Sequence, residues 1–458
     1  MNSMMRQAIR SGFYLVLGYT LISGVASAQS PQPYPNAIIS RSIISETPMT
    51  PPDRNKPFKD PDFGSLMVRV TDEKTDLQHP GGFLRTEEGH SNEWSADGRR
   101  FYVEGEQLSE LVFSFDPSSM LIGSLTGVPQ GQGLTLPLAH SPSFSLVDPD
   151  LIYGVAPGHP FTIDSYRFST GVVTPVIDTS TCGLQPPLAR KAVSDSGLSL
   201  SKGDGRLLLV EGGPEAGDHM FVVVYDKKLG CRWYNTETGQ IGGEWGLTGH
   251  ASTTASFLSS HSYLSKSGNY VRIQQHGSGF YVWDLATLEV TECSLYCLGY
   301  GAVGYDSYIN ALGYVDQMNI GKRSLADLNS LVIPLVHPLP LPHYFGQNRH
   351  FSWNNAEPGD LAPICASSYY YDDDDHGWGV ITQPYQGEIF CVATGPGSTV
   401  WRFAHNRATY VDDFLNTQPL GTISPDGRFF IFTSDWDSQL GTETDGTPRS
   451  DVWIVKFD

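Results

Sequence analysis

A turn followed by a short strand, apolar on both faces, constrains this chain more than any other feature. Ser424-Pro425-Asp426-Gly427-Arg428 gives way to Phe429-Phe430-Ile431-Phe432, and Thr433-Ser434-Asp435 ends the run. Proline presets φ, aspartate bonds nearby backbone, and glycine accepts the positive φ of a tight turn. A strand without a polar face has to be covered on both sides, as it is inside a stack of sheets. The unit returns as Ser95-Ala96-Asp97-Gly98 before Phe101-Tyr102-Val103, and as Ser265-Lys266-Ser267-Gly268 before Tyr270-Val271. A weaker copy, Ser145 to Asp150, precedes Leu151-Ile152-Tyr153. Repetition at this scale predicts a propeller or a solenoid.

With 48 glycines, 31 prolines, 12% aromatic and only 17% charged residues, the composition favours strands and turns over helices. No amphipathic helical pattern runs beyond three turns. Seven units can be drawn, over residues 89–125, 140–178, 192–245, 261–292, 305–335, 350–403 and 418–458. Within the fifth, residues 320–328 read as a short helical excursion. The first convincing strand, residues 65–72, has no hairpin partner upstream, and the last, residues 451–457, has nothing after it. Pairing these two would close a ring and remove two exposed edges. The expected fold is therefore all-β, a β-propeller of seven blades closed by an N-terminal strand added to the last blade.

The organisation outside the ring is simpler. Arg6 and Arg10, an apolar stretch over 13–25 and Ala26-Ser27-Ala28 make residues 1–28 a secretory signal peptide. Residues 29–62, with eight prolines, read as an extended leader, and 63–458 as a single propeller domain. Residues 331–341 are broken by three prolines, so no stretch downstream of the signal reaches a membrane-spanning length. The expected protein is secreted, periplasmic or extracellular, and monomeric. Its six cysteines suit disulfides in such a compartment, and Cys182 with Cys231, Cys293 with Cys297 and Cys365 with Cys391 are the expected pairs. Without the signal, 29 − 2 = 27 basic residues face 49 acidic ones, a net charge of 27 − 49 = −22. That field disfavours nucleic acid and anionic membranes and leaves a polysaccharide or a protein as the expected ligand.

Candidate site residues come from the unit starts. His90, His140, His261, His350 and Gln418 each stand just before a turn-and-strand unit, where the innermost strands of a propeller line its axis. Converging imidazoles could hold a divalent metal or act as acid and base near neutral pH, or simply tie blade to blade. Trp401 and Arg407, with Arg349 next to His350, combine aromatic faces and guanidinium groups suited to sugar rings and carboxylates. Asp372 to Asp375 could capture calcium or be a solvated turn. Gly299-x-Gly301-x-x-Gly304 lacks a strand-helix-strand context and reads as a loop. Gly-x-Ser-x-Gly, His-Glu-x-x-His and Gly-x-x-x-x-Gly-Lys are all missing, which argues against the hydrolase, protease and nucleotidase classes they mark.

Lys59-Asp60-Pro61-Asp62-Phe63-Gly64, then Val68-Arg69-Val70-Thr71-Asp72, with Asp-Gly turns at unit starts, resembles the TolB-like (WD40-like) periplasmic propellers. More distantly, the chain is similar to oligogalacturonate lyase, a seven-bladed secreted enzyme. The first resemblance implies a fold shared by many functions. The second implies a divalent metal, typically manganese, held by histidines and a glutamine, with a separate histidine as base. Carried onto this chain, Gln418 and His350 would be metal ligands and His261 the base. The family has further histidines shortly after its glutamine, where this chain has Gly421 and Ile423. Two functions follow: a binding module with a polar, histidine-lined axial mouth, or a lyase of uronic-acid polymers working by metal-assisted β-elimination. In the lyase, Arg349 or Arg407 would neutralise the substrate carboxylate so that the neighbouring proton becomes acidic.

Overall fold

The computed structural model describes residues 33–458, apart from 88–90, 107–108, 160, 185–197, 213–218, 252–255, 276–278, 294–300, 312–319, 329, 331, 337–348, 370–380, 382, 396–398, 410–416 and 444–445. The signal peptide, His90 and the Asp372–Asp375 run lie outside the described residues. Residues 36–458 form one compact unit.

The repeat turn has a chemical basis that recurs blade after blade. Ser95 Oγ accepts the amide of Arg100 at 2.9 Å, Ser265 Oγ that of Tyr270 at 3.0 Å, and Ser424 Oγ that of Phe429 at 3.0 Å. The same serines donate their own amides to those residues' carbonyls, which starts the antiparallel pair. Gly98, Gly268 and Gly427 complete the turn at φ 65°, 79° and 70°. A side chain there would meet the left-handed penalty, so glycine is favoured. The third blade uses the same device at Ser201, whose Oγ accepts the Arg206 amide at 2.9 Å, although its sequence hides the motif.

These hairpins grow into seven antiparallel sheets. Blade 1 runs from Leu84–Arg85 through Arg100–Gly105 and Ser109–Asp116 to Leu121–Gly123, with Leu134–Thr135 added beside the third strand. Blade 2 spans Ala139–Phe144 to Val172–Asp178, and blade 3 holds six strands from Ser199–Leu200 to Gly249–His250. Blades 4, 5 and 6 have four strands each, opening at Ser259–Leu264, Gly301–Val303 and Arg349–Ser352. Residues 320–324 are a strand, not a helix. Ile320 pairs with Ala311 and Ser324 with Ser307, so sheet partners override the local preference.

Blade 7 settles the closure. Gly421–Ile423, Phe429–Ser434 and Asp451–Lys456 come from the C-terminal end, and Leu66–Arg69 pairs onto Asp451–Lys456 with Val68 opposite Ile454. Phe58–Lys59 then covers the outside of Leu66–Arg69. The inner edges of neighbouring blades bond to one another: Phe144 of blade 2 donates its amide to the carbonyl of Asn92, just ahead of the second strand of blade 1, at 2.8 Å, and Leu198, just ahead of blade 3, donates to the Ser141 carbonyl at 3.3 Å. They therefore form the innermost ring. Between the blades lie the apolar layers, such as Val68, Phe429 and Ile454 against Phe101, Phe113 and Phe115. Phe403 of blade 6 stacks on Phe457 of blade 7 at 3.8 Å.

Cys182, just past blade 2, is bonded to Cys231 of blade 3, and Cys365 is bonded to Cys391 on the neighbouring strand of blade 6, both pairs as expected. Cys293 is also in a disulfide, and Cys297 lies outside the described residues. No helix among the described residues is long and apolar enough to cross a membrane.

Candidate functional site

Antiparallel pairing fixes which ends of strands share a face. The start of a first strand lies beside the hairpin joining the second and third strands and beside the end of the fourth. Arg349 pairs with Ser368, and Glu388 with His405, so His350, Glu388 and His405 share one face of blade 6. In blade 1, Arg85 pairs with Glu104 and Glu104 with Glu110 at the equivalent end. This upper face gathers most of the candidate residues.

His350 and Gln418 meet there. The ring Nε2 lies 3.0 Å from the Gln418 Oε1, and both residues are buried. An amide oxygen only accepts, so Nε2 carries the proton and donates it. Tyr369 stacks on the imidazole at 5.3 Å and 18°. His261 is half-buried at the start of blade 4, its ring 6.4 Å from that of Tyr263. His140 and Arg349 open the first strands of blades 2 and 6, and their side chains lie outside the described residues.

Trp401 and Arg407 stand elsewhere. Trp401 lies on the outer strand of blade 6 and is 4% exposed. Arg407, 2% exposed, bonds Glu46 Oε1 at 3.0 Å and the Thr47 carbonyl at 2.8 Å, and lies over the Trp436 ring. Neither side chain is open to a ligand. Strand aromatics pack between layers, and a buried guanidinium needs the carboxylate it has found.

The partners of Arg407 belong to the leader, which is bound along the blade edges. Ile38 bridges to Arg402, whose Nη1 donates to the Ser40 and Ser42 carbonyls at 2.9 and 2.8 Å. Arg402 also forms a fully buried fork onto Glu388. Further along, Asn55 exchanges two side-chain hydrogen bonds with the backbone of Ile122 on blade 1.

Where leader and blade 6 meet, Asp60, Asp62 and His405 bring three donor atoms within 4.8 Å of one another, a grouping able to hold a metal ion. Those atoms are engaged already. Asp60 Oδ1 accepts the amides of Asp62 and Phe63 at 2.9 and 2.8 Å, and His405 Nδ1 lies 3.2 Å from Asp62 Oδ2. Burial pushes the His405 imidazole down to about 4, so at neutral pH it stays uncharged beside Asp62.

Sequence reasoning missed the glutamates of blade 1. Glu93, Glu104 and Glu110 are buried, and Glu87 is half-buried beside them. Glu93 Oε1 accepts the Glu87 amide at 2.7 Å, and its Oε2 accepts from the Thr422 hydroxyl on the first strand of blade 7. Arg85 Nη2 donates to Glu104 Oε1 at 2.7 Å. Burial pushes the Glu93 carboxyl up to about 8, and Glu87 and Glu110 are raised by burial and then by the surrounding carboxylates. The available signal was a pair of glutamates interrupting the apolar runs 101–103 and 111–113 at a hairpin.

No family model matches this chain, and no curated protein does. Among solved structures, it is similar to oligogalacturonate lyase from Vibrio parahaemolyticus, at 10% identity and a TM-score of 0.55, over 91% of this chain and 98% of that one. An oligogalacturonate lyase in complex with manganese matches at 11% identity and a TM-score of 0.54, over 90% of this chain and 98% of that one. TolB from Acinetobacter baumannii matches at 11% identity and a TM-score of 0.33, over 64% and 62%. The likeness is one of fold. The propeller resemblance read from the sequence is borne out to that extent.

The manganese bound by that neighbour can be weighed against the residues present. His350 offers a ring whose Nε2 proton is held by Gln418, and the next positions carry Gly421 and Ile423, which have no donor side chain. A glycine and an aliphatic side chain leave the described axial residues short of a ligand set. These residues do not fit a metal of that kind.

Proposed function

We propose that this chain is a secreted β-propeller that binds an oligosaccharide at the upper mouth of its axis. The observation that carries the reading is the buried His350–Gln418 pair at the start of the innermost strands of blades 6 and 7. The Gln418 amide and a carboxyl held uncharged at Glu93 are neutral groups that match hydroxyls without requiring a charged ligand, and the His350 ring adds a donor. A net charge of −20 for the whole chain works against a polyanionic ligand. The disulfides support export, since such bonds persist in oxidising compartments. Binding to a panel of neutral and acidic oligosaccharides, followed by calorimetry, tests the reading. Gln418→Ala should weaken the best neutral ligand about tenfold, while absence of glycan binding by the native protein would refute it.

A second reading, a lyase of uronic-acid polymers, is favoured by the fold likeness to oligogalacturonate lyase over 91% of the chain. It would use His261 as base and Arg349 against the substrate carboxylate, because Arg407 is engaged by Glu46. Formation of unsaturated products from pectic or ulvan-type polymers, followed by ultraviolet absorbance with and without manganese or calcium, would favour this reading over the first.

A further inference from the structure

Blade 2 leaves the outer part of one sheet face uncovered. Leu151 and Tyr153 of its second strand stand opposite Arg167 and Ser165 of its third, which pair in turn with Val172 and Thr174 of its outermost strand. Directly opposed side chains in an antiparallel sheet share a face, so these line one surface. Blade 3 bounds it through Lys227, which follows that blade's third strand. Between them lies a groove of about 470 Å³. That is inside the range of roughly 300–1,000 Å³ found for small-molecule sites. The turns at 145–150, 168–171 and 227–229 join first to second or third to fourth strands, at the end of each blade opposite the upper face. The groove therefore lies toward the lower end, away from His350 and Gln418.

One group in it carries an unpaired charge. Lys227 Nζ donates to the Tyr153 hydroxyl at 2.8 Å and lies 4.9 Å from the centre of that ring. The hydroxyl donates onward to Asp204 Oδ2 at 3.3 Å, and Asp204 also accepts the Ser145 hydroxyl and the Leu146 amide. Asp226, next to Lys227 in sequence, is taken by Arg206 at 2.9 Å. No carboxylate among the described residues forms an ion pair with Lys227. Burial pushes its ammonium below the ordinary lysine value, and Asp204 offsets only part of that. Arg167 differs, being held by Asp148 at 3.0 Å and Asp150 at 3.4 Å. The other wall is aliphatic, made by Leu151, Val172 and Val176, with Val172 52% exposed. Val147 and Leu229, in the turns next to Leu151 and Lys227, are 58% and 53% exposed. Aliphatic side chains this open, grouped beside a cation, mark a binding surface.

We propose that this groove binds a small amphiphilic monocarboxylate, its head on Lys227 and its aliphatic or aromatic body against Leu151, Val172 and Val176. The unpaired ammonium selects an anion, and the aliphatic wall selects a hydrophobic body. Two aspartates against the single guanidinium of Arg167 leave negative charge at the rim, which repels a second anionic group on the ligand. Thr174 and Ser165 place hydroxyls beside the path of the ligand body, where a polar substituent could bond. The site is separate from the upper axial mouth and does not rest on the oligosaccharide reading.

The test uses the full mature protein and isothermal calorimetry with octanoate and benzoate, set against octanol and the dicarboxylate suberate. One equivalent of octanoate should bind, about tenfold more tightly than octanol or suberate. Lys227→Met should weaken octanoate about tenfold and leave octanol unchanged, and Val172→Asp should abolish octanoate binding. Both side chains are exposed, so both variants should keep the native Tm within about 1 °C. Failure of the native protein to bind either monocarboxylate at millimolar concentration would overturn the proposal. So would octanol binding as tightly as octanoate, or octanoate binding undiminished in both variants, since the cation or the groove would then play no part. Sedimentation velocity covers the other occupant: a native dimer that Val172→Asp dissociates would assign this face to a second copy of the chain and remove the small-ligand site.

Discussion

Ser424, with its hydroxyl accepting from Phe429 and its neighbour Gly427 at φ 70°, is where the repeat becomes physical. Nothing lies within 4 Å of a Cβ at the equivalent Gly98 of blade 1, at φ 65°, so Gly98→Ala isolates backbone strain from crowding. It should cost about 1 kcal/mol, measured as a lower urea midpoint with an unchanged slope. Arg402 and Glu388 form the opposite kind of residue-level feature, a pair with no exposed side-chain surface. Arg402→Met should cost about 3–5 kcal/mol because it strands Glu388, and adding Glu388→Gln should recover part of that loss. Glu93 sets a pH dependence. Its folded carboxyl is raised to about 8 from an ordinary value of 4.5, so the folded state holds a proton that the unfolded state has released. Its contribution is fully present below 4.5 and is lost as pH rises toward 8. The protein should thus lose stability across that window, and Glu93→Gln should flatten the slope of the urea midpoint against pH.

Among the elements, the leader shows most clearly how a segment without periodicity becomes structure. Residues 36–62 contain one short strand, Phe58–Lys59, yet they complete buried groups on three blades. Ser40 and Ser42 carbonyls satisfy Arg402, Glu46 and Thr47 satisfy Arg407, and the Met49 carbonyl accepts from Trp436 Nε1 at 2.9 Å. Prolines suit this path, since an extended strap needs few amide donors and loses little entropy on docking. Removing residues 36–50 while keeping the strand at 58–59 would leave those guanidinium groups unsatisfied. The expected loss is about 3 kcal/mol or more, seen as a lower urea midpoint together with a red-shifted tryptophan emission.

At the scale of the whole molecule, closure and stapling hold the ring. Leu66–Arg69 gives the last blade its fourth strand, and Arg69 adds an ion pair to Asp451 within that sheet. Without closure, both ends of the array would present unpaired strand edges. The Cys182–Cys231 bond joins blade 2 to blade 3 across a separation of 49 residues, and a loop of that length restricts the unfolded chain substantially. Chain-entropy reasoning puts its removal at roughly 4 kcal/mol. A Cys182→Ala, Cys231→Ala variant should show that loss in calorimetry while keeping a single cooperative transition, because the interblade layers remain.

The turn motif and the run Phe429-Phe430-Ile431-Phe432 were enough to give a propeller, its seven blades and its closing strand. Tight turns and doubly buried strands are local properties that side chains announce in order. Cys365–Cys391 followed from placing the two on neighbouring strands, whereas Cys182–Cys231 was expected only as the pair left over. Residues 320–324 were misread because a strand held by Ser307–Ala311 takes its conformation from a partner rather than from its own propensity. His350 and Gln418, 68 positions apart, came together as blade starts should. Arg407 and Trp401 did not join them, because whether a cation or an aromatic faces a ligand or the leader depends on which segments are packed over it. The glutamates of blade 1 were invisible for a related reason. Their significance lies in mutual distance and burial, and Coulomb energy in a dry interior depends on separations that only the folded chain defines.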